Sequence, residues 1–214
     1  ILAAAIREFA ARGLAGARID ALARDAGVAK GLVFHHFGSK EGLWKAALER
    51  IYALLRAGQD ADAFGALDPA EGMRRLARGT FRLFREHPEI VALMNEENLH
   101  RARHVRAMPS IRALYNPLFA TIEDLLARGR ATGAFRADVD ATALYIALAG
   151  LGYFYCANRW TLSSAFAGDM FAPRRLAAYE ALVGDMVAAY LRAPGTEAPA
   201  PPRRSALTAR RRRE

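Results

Sequence analysis

Apolar residues recur three and four apart along almost the whole chain, and no sustained β-branched alternation interrupts them; this period admits helices and excludes a sheet. The fold class expected is therefore all-α. Glycines punctuate the pattern near the N-terminus. Ile1, Leu2, Ala5, Ile6 and Phe9 form one stripe that stops at Gly13, residues 18–26 form a second short segment, and Gly27 and Gly38 bracket a third of barely two turns, AKGLVFHH. Three helices thus fit within the first 40 residues. A fourth is expected over about 39–57, with Ser39 as N-cap and Leu43, Ala47, Leu48, Ile51 and Leu54 as its apolar seam. GQDADAFGAL reads as a linker. The run DPAE at 68–71 reads as a helix start, with Asp68 as cap, Pro69 at the first helical position and Glu71 as reciprocal partner. Further helices are expected over about 69–87, 88–102, 109–131, 140–158 and 173–191.

The 214 residues are 53% hydrophobic, enough to bury a substantial core. The net charge of +9 is placed unevenly: residues 1–50 carry +3, residues 51–191 carry +1 and residues 192–214 carry +5. Basic ends suit nucleic acid or another anionic surface, and the Pro/Ala/Arg-rich stretch 193–214 is expected to be a disordered basic tail. Cys156 is the single cysteine, which excludes an internal disulfide framework and points to a reducing, cytoplasmic setting. The chain opens inside a helical pattern with no signal peptide, so a preceding extension is expected. The uncharged stretch 141–157 falls short of the roughly 20 residues a bilayer span needs; it is read as a buried or interface helix, with no membrane partner.

One segment fits neither a core helix nor a surface loop. GLVFHHFGSKEGLW, residues 31–44, sets His35, His36 and Lys40 beside Val33, Phe34, Phe37 and Leu43. A short helix, a tight glycine turn and a second short helix with outward polar residues describe a helix-turn-helix, whose second helix can enter the DNA major groove. The run IDALARDAGVAKGLVFHHFGSKEGL, residues 19–43, resembles the DNA-binding domain of the tetracycline-repressor (TetR) family. That resemblance implies an N-terminal three-helix DNA-binding domain over residues 1–48, a connecting helix over about 39–57, and a helical ligand-binding and dimerisation domain over 58–192. The implied molecule is a homodimer that binds a palindromic operator in double-stranded DNA, usually represses transcription, and is released by a small molecule.

Lys30, Gly31, Leu32 and His35 are then expected to face DNA: Lys30 to donate to guanine, Gly31 to allow close backbone approach, Leu32 to touch a thymine methyl. Phe34, His36, Lys40 and Arg18 are expected near the phosphate backbone, whose contacts position the protein without reading sequence. Val28, Val33 and Phe37 should face inward. The family's usual threonine or serine at two helix starts is replaced by Ala17 and Ala29, and its usual tyrosine by Phe34. Electrostatic work therefore shifts onto Lys30, Lys40, Arg18 and the basic tail.

For the second domain, Phe84, Met94, Tyr115, Phe119, Tyr153 and Trp160 are candidates to line an apolar cavity, with Asn98 and Asn95 as polar anchors; the effector expected is apolar or aromatic. The dimer seam is expected on the helices at 140–158 and 173–191, through Ala147, Leu151, Tyr179, Leu182, Val183 and Met186. No cofactor is expected. Glu96, His100 and His104 fall at i, i+4 and i+8, a spacing able to hold a metal, so a metal-responsive regulator is the alternative reading. A metal-dependent enzyme on the same residues is the further alternative, although no nucleophile or phosphate loop is recognisable; the chain is read as not an enzyme.

Overall fold

The computed structural model describes residues 1–57 and 64–195; part of the expected linker and residues 196–214 of the expected basic tail lie outside the described residues. Helices α1 (Leu2–Gly16), α2 (Ile19–Asp25), α3 (Lys30–Phe37) and α4 (Lys40–Arg56) come first. They are followed by α5 (Pro69–Glu86), α6 (Pro88–Leu99), α7 (Pro109–Ala113), α8 (Asn116–Ala131), α9 (Ala141–Ala157), α10 (Arg159–Ala165) and α11 (Pro173–Leu191). Among the described residues the only strand-like pairing is an isolated bridge between Phe135 and Arg192, which ties the α8–α9 loop to the end of α11.

The helix boundaries follow local chemistry. Ser39 caps α4 by accepting from the Gly42 N–H at 2.9 Å, and Asp68 caps α5 by accepting from Ala70 and Glu71. Glu71 itself lies 3.6 Å from Arg74, so it departs from the expected reciprocal role. Gly13 takes φ 66° and turns the last residues of α1; an added Cβ there would also meet the Glu96 carboxylate at 2.9 Å.

Three expectations are corrected. The helix expected over 88–102 ends at Leu99, because Arg101 and Ala102 adopt left-handed φ of 58° and 53° and Ala102 N–H donates to the Glu97 carbonyl. The segment 109–131 is two helices, the second restarting at Asn116–Pro117, where proline suits a first turn. A short helix, α10, occupies residues left without assignment between 158 and 173.

Packing does not stop at the expected boundary near residue 48. Phe9, Val33, Leu43, Trp44 and Leu48 share one buried cluster with Phe84, Ile90, Leu93 and Ile111. A second cluster joins Met73 and Leu76 of α5, Ile122 and Leu125 of α8, Leu148 of α9, and Val183 and Val187 of α11. α4 thus belongs to the N-terminal helices and to the larger body at once. No described helix is long and apolar enough to cross a membrane.

The α8–α9 loop returns Phe135 onto Gly129, where an added Cβ would lie 2.1 Å from the ring; at Gly79, within α5, nothing lies within 4 Å. Gly129→Ala should therefore cost a net stability of about 1–2 kcal/mol, overpacking outweighing the gain in helix propensity. Gly79→Ala should gain up to about 1 kcal/mol. Scanning calorimetry of both variants checks the opposite signs.

Candidate nucleic-acid interface

α3 is too short to stand alone and is held by one buried side chain, Val33, with Val28 and Phe37 half-buried beside it. Its other face is open: Gly31, Leu32, Phe34, His35 and His36 are exposed, as are Lys30 at its start and Arg18 at the head of α2. Leu32 and Phe34 are 41% and 40% exposed, large apolar side chains in water on an otherwise polar helix. The expected DNA-facing residues are thus brought onto one end of the molecule.

Two of the cations are engaged within the chain. Lys30 Nζ lies 3.0 Å from the Asp20 carboxylate, whose pKa is lowered first of all by that hydrogen bond. Lys40 is half-buried and donates to the Ala15 carbonyl at 3.0 Å, closing the end of α1. Its ammonium keeps further N–H donors, but its first duty is structural. α2 and α3 begin without side-chain caps at Arg18 and Ala29. The Arg18 N–H is instead satisfied by Glu8 Oε1 at 3.0 Å, a long-range substitute for a local hydroxyl.

The DNA-facing helices are fixed to the rest of the molecule by a buried polar cluster that the sequence did not disclose. Glu97 is 3% exposed. Its Oε1 accepts from Trp44 Nε1 at 2.8 Å and lies 2.6 Å from His104 Nδ1; its Oε2 accepts from the backbone N–H groups of His104 and Val105 at 3.2 and 3.3 Å. With the proton of His104 on Nδ1, one carboxylate satisfies every donor aimed at it, and the ring's Nε2 can accept from Arg103 Nε at 3.3 Å. Burial pushes Glu97 up, yet the hydrogen bonds from His104, Trp44 and Val105 outweigh it and leave the carboxyl below its ordinary value. Beside it, Glu96 Oε1 accepts from the Leu14 N–H at 3.1 Å.

The same geometry overturns the metal reading. α6 ends before residue 100, so His104 leaves the face of Glu96 and His100 and turns inward to Glu97, and among the described residues no group of three metal-ligating side chains gathers.

The expected effector residues have different surroundings. Phe84 is buried against Tyr153 of α9, with Met94 half-buried in the same cluster. Tyr153 donates its hydroxyl to Asn95, and Asn98 is exposed. Trp160 is 75% exposed beneath the Arg159 guanidinium. Tyr115 and Phe119 do line a cleft, of about 600 Å³, together with Tyr52, Met108, Ile111 and two arginines. Burial pushes the Cys156 thiol up to about 11, which keeps it protonated and unreactive at neutral pH.

The expected dimer residues also divide. Ala147, Leu182 and Met186 are exposed and Leu151 is half-buried, and Ala147, Leu151 and Met186 line a groove of about 370 Å³ between α9 and α11. Val183 is fully buried in the protomer core, and Tyr179 faces Phe81 and Tyr155 while donating to the Leu151 carbonyl at 2.9 Å. Of the residues expected on α11, Leu182 and Met186 lie on its outward stripe together with Tyr190, while Tyr179 and Val183 face inward.

An all-helical body carrying an exposed two-turn helix on a helix-turn-helix defines a DNA-binding regulator. Residues 1–47 match the family model of bacterial regulatory proteins, tetR family, and residues 69–187 match the model of the tetracyclin repressor-like C-terminal domain. The HTH-type transcriptional repressor NicS of Pseudomonas putida is 33% identical over 192 residues, covering 90% of this chain and 91% of that protein. The ketosteroid regulator KstR2 of Mycobacterium tuberculosis has a solved structure similar to this fold, with a TM-score of 0.66, 22% identity and coverage of 89% and 92%. A transcriptional regulator of Streptomyces coelicolor gives a TM-score of 0.64 at 26% identity, covering 86% and 94%. The chain belongs to the tetR family.

Two consequences are measurable. Glu97→Gln should cost about 2–4 kcal/mol at pH 7, since a buried carboxylate loses charge-assisted bonds while its donors stay buried. Because the folded-state pKa of Glu97 is depressed, its contribution is complete above the unfolded value of about 4.3 and is lost as pH falls through the folded value. Denaturant titrations of the two proteins should therefore differ fully at pH 7 and converge on acidification below about pH 4. At the exposed Phe34, Phe34→Tyr should tighten duplex binding by about 2–3 kcal/mol over two subunits, or on the order of 30- to 150-fold, through an added hydroxyl donating to phosphate. Fluorescence anisotropy on specific and random duplexes should show a similar gain on both.

Proposed function

We propose that this tetR-family chain is a cytoplasmic repressor that grips an inverted-repeat operator as a homodimer, α3 of each subunit in the major groove, and lets go when a small apolar or aromatic effector binds the helical body. The observation that carries the reading is the open face of α3, where Gly31, Leu32, Phe34 and His35 are left in water by a helix pinned through Val33. One two-turn helix contacts too few bases for specificity, so two copies related by a twofold axis are needed. The apolar stripe available for pairing them is Ile146, Ala147 and Phe154 of α9 with Leu182, Met186 and Tyr190 of α11. Lys30 would exchange Asp20 for DNA, and Lys40 would offer its remaining donors to phosphate. The 33%-identical relative is itself named a transcriptional repressor.

Selection of genomic fragments followed by footprinting should recover an inverted repeat protected symmetrically. The double variant Leu182→Glu/Met186→Glu should be monomeric by light scattering, remain folded, and lose protection of the full repeat, whereas Val183→Glu should unfold the protomer because its charge has no route to water. Recovery of no repeat, or a double variant that still dimerises with undiminished affinity, would count against the reading.

A further inference from the structure

Two clefts flank the turn between α6 and α7, and they differ in how their charges are matched. In the cleft of about 390 Å³ under α1, charged groups answer one another: Lys40 donates to the Ala15 carbonyl, Arg103 lies 3.3 Å from Glu41, and Glu96 accepts from Leu14. It has no evident excess charge for a ligand to meet. The cleft of about 600 Å³ is different. Tyr52, Tyr115 and Phe119 supply aromatic walls, Met108 and Ile111 extend the apolar surface, and Arg106 and Arg112 supply its only charged groups. No carboxylate lines it, and among the described residues neither arginine makes an ion pair. Tyr115 is held in place by the Arg56 guanidinium, 4.1 Å from its ring centroid, and Arg56 also donates to the Tyr145 hydroxyl at 2.7 Å.

We propose that this cleft binds a small aromatic carboxylic acid as its anion, the ring against Tyr52, Tyr115 and Phe119 and the carboxylate on Arg106 and Arg112. The inference rests on the regulator reading and deepens it by naming the class of effector. Planar aromatic walls favour a ring that can stack or meet them edge-on over a flexible alkyl chain, which would lose rotamer freedom on binding. Guanidinium groups without a carboxylate neighbour favour an oxyanion that accepts charge-assisted hydrogen bonds in a planar fork. The volume falls within the range of small-molecule sites. Position makes the site consequential. Tyr52 lies on α4, which follows directly from α3, and Val105, another lining residue, gives its N–H to Glu97. An occupant would therefore touch α4 about two turns beyond Trp44 and, at Val105, one of the backbone donors to Glu97, so it meets both elements that the buried contact joins.

Calorimetric titration of the full chain with 2-naphthoate, its neutral amide 2-naphthamide, and decanoate tests the class. 2-Naphthoate should bind at least about tenfold more tightly than either, the lower end of what charge-assisted bonds add. Arg106→Gln/Arg112→Gln should bring acid and amide to within about threefold of each other, and Arg106→Lys/Arg112→Lys should restore part of the preference by keeping the charge. Both arginines are exposed, and an unchanged melting temperature without ligand checks that the variants fold. An amide that binds as tightly as the acid, a preference that survives the double glutamine variant, or no binding of the acid at about 10 mM, well above the millimolar scale of a weak site, overturns the assignment. Operator binding by the unliganded chain is read separately: its absence sinks the regulator reading, while the acid-over-amide ratio alone decides the cleft.

Discussion

A carboxylate that is 3% exposed can stay ionised only if its lone pairs are occupied, and the placing of Glu97 follows from that requirement. Its donors come from α4, from the His104 ring, and from two successive backbone N–H groups of the turn after α6. Meeting all four at once leaves α4 and that turn a single relative position. The left-handed residues Arg101 and Ala102, costly for side chains, are repaid by bringing those N–H groups onto one oxygen. α3 packs on α4, so the reading helix inherits its orientation from a charge that never meets DNA. Partial displacement would strand a buried ion, which makes intermediate positions unfavourable and two discrete positions the natural alternatives.

The electrostatics of the DNA-facing end follow the same economy of partners. Arg7 pairs with Asp25, Lys30 with Asp20, and Lys40 with a backbone carbonyl, so several of the positive charges near α3 are already matched in the free protein. A cation so engaged reaches a phosphate or base only by exchanging its internal contact, so its net gain is smaller than a count of lysines and arginines suggests. Exposed pairs such as Lys30–Asp20 are weak enough to exchange readily. The absence of a hydroxyl at Ala17 is met structurally by Glu8, which reaches across from α1 to the Arg18 N–H, whereas α3 begins at Ala29 with no side-chain cap; nothing in the Glu8 contact offers a donor to DNA.

Much of the fold was legible because its signals are local. Ser39 and Asp68 carry caps whose chemistry acts within three residues, Gly27 and Gly38 take the positive φ that their punctuation implied, and the run from Ile19 to Leu43 is specific to one family. The exposed face of α3 follows from Val33 as the inward residue. What was not legible depends on partners distant in sequence. Glu97 sits in EENLH, a string that reads as a solvated face; only Trp44, 53 residues away, makes it a core residue. The end of α6 follows from that burial, so the i, i+4, i+8 spacing of Glu96, His100 and His104 described a helix that does not continue. On α11 the expected residues divide, Leu182 and Met186 outward, Tyr179 and Val183 inward. Tyr179 and Val183 belong to an apolar surface wide enough to serve both the core and the outside, and periodicity alone does not say which edge of such a stripe faces inward.

α4 joins these elements into one lever. At its start Ser39 caps α4 itself and Lys40 closes the end of α1; midway Trp44 meets Glu97; near its far end Tyr52 walls the cleft and Arg56 lies on Tyr115. Seventeen residues of helix span about 25 Å at 1.5 Å per residue. A tilt of about 5° about one end would then displace the other by about 2 Å, more than the tolerance of a hydrogen bond to a base edge. The aromatic stacking at the Arg56 end is soft, whereas the Glu97 contact is short and directional. A ligand pressing on Tyr52 and Val105 would act across that stiff contact, and α3 would feel the result only if Glu97 kept or exchanged its donors as a set.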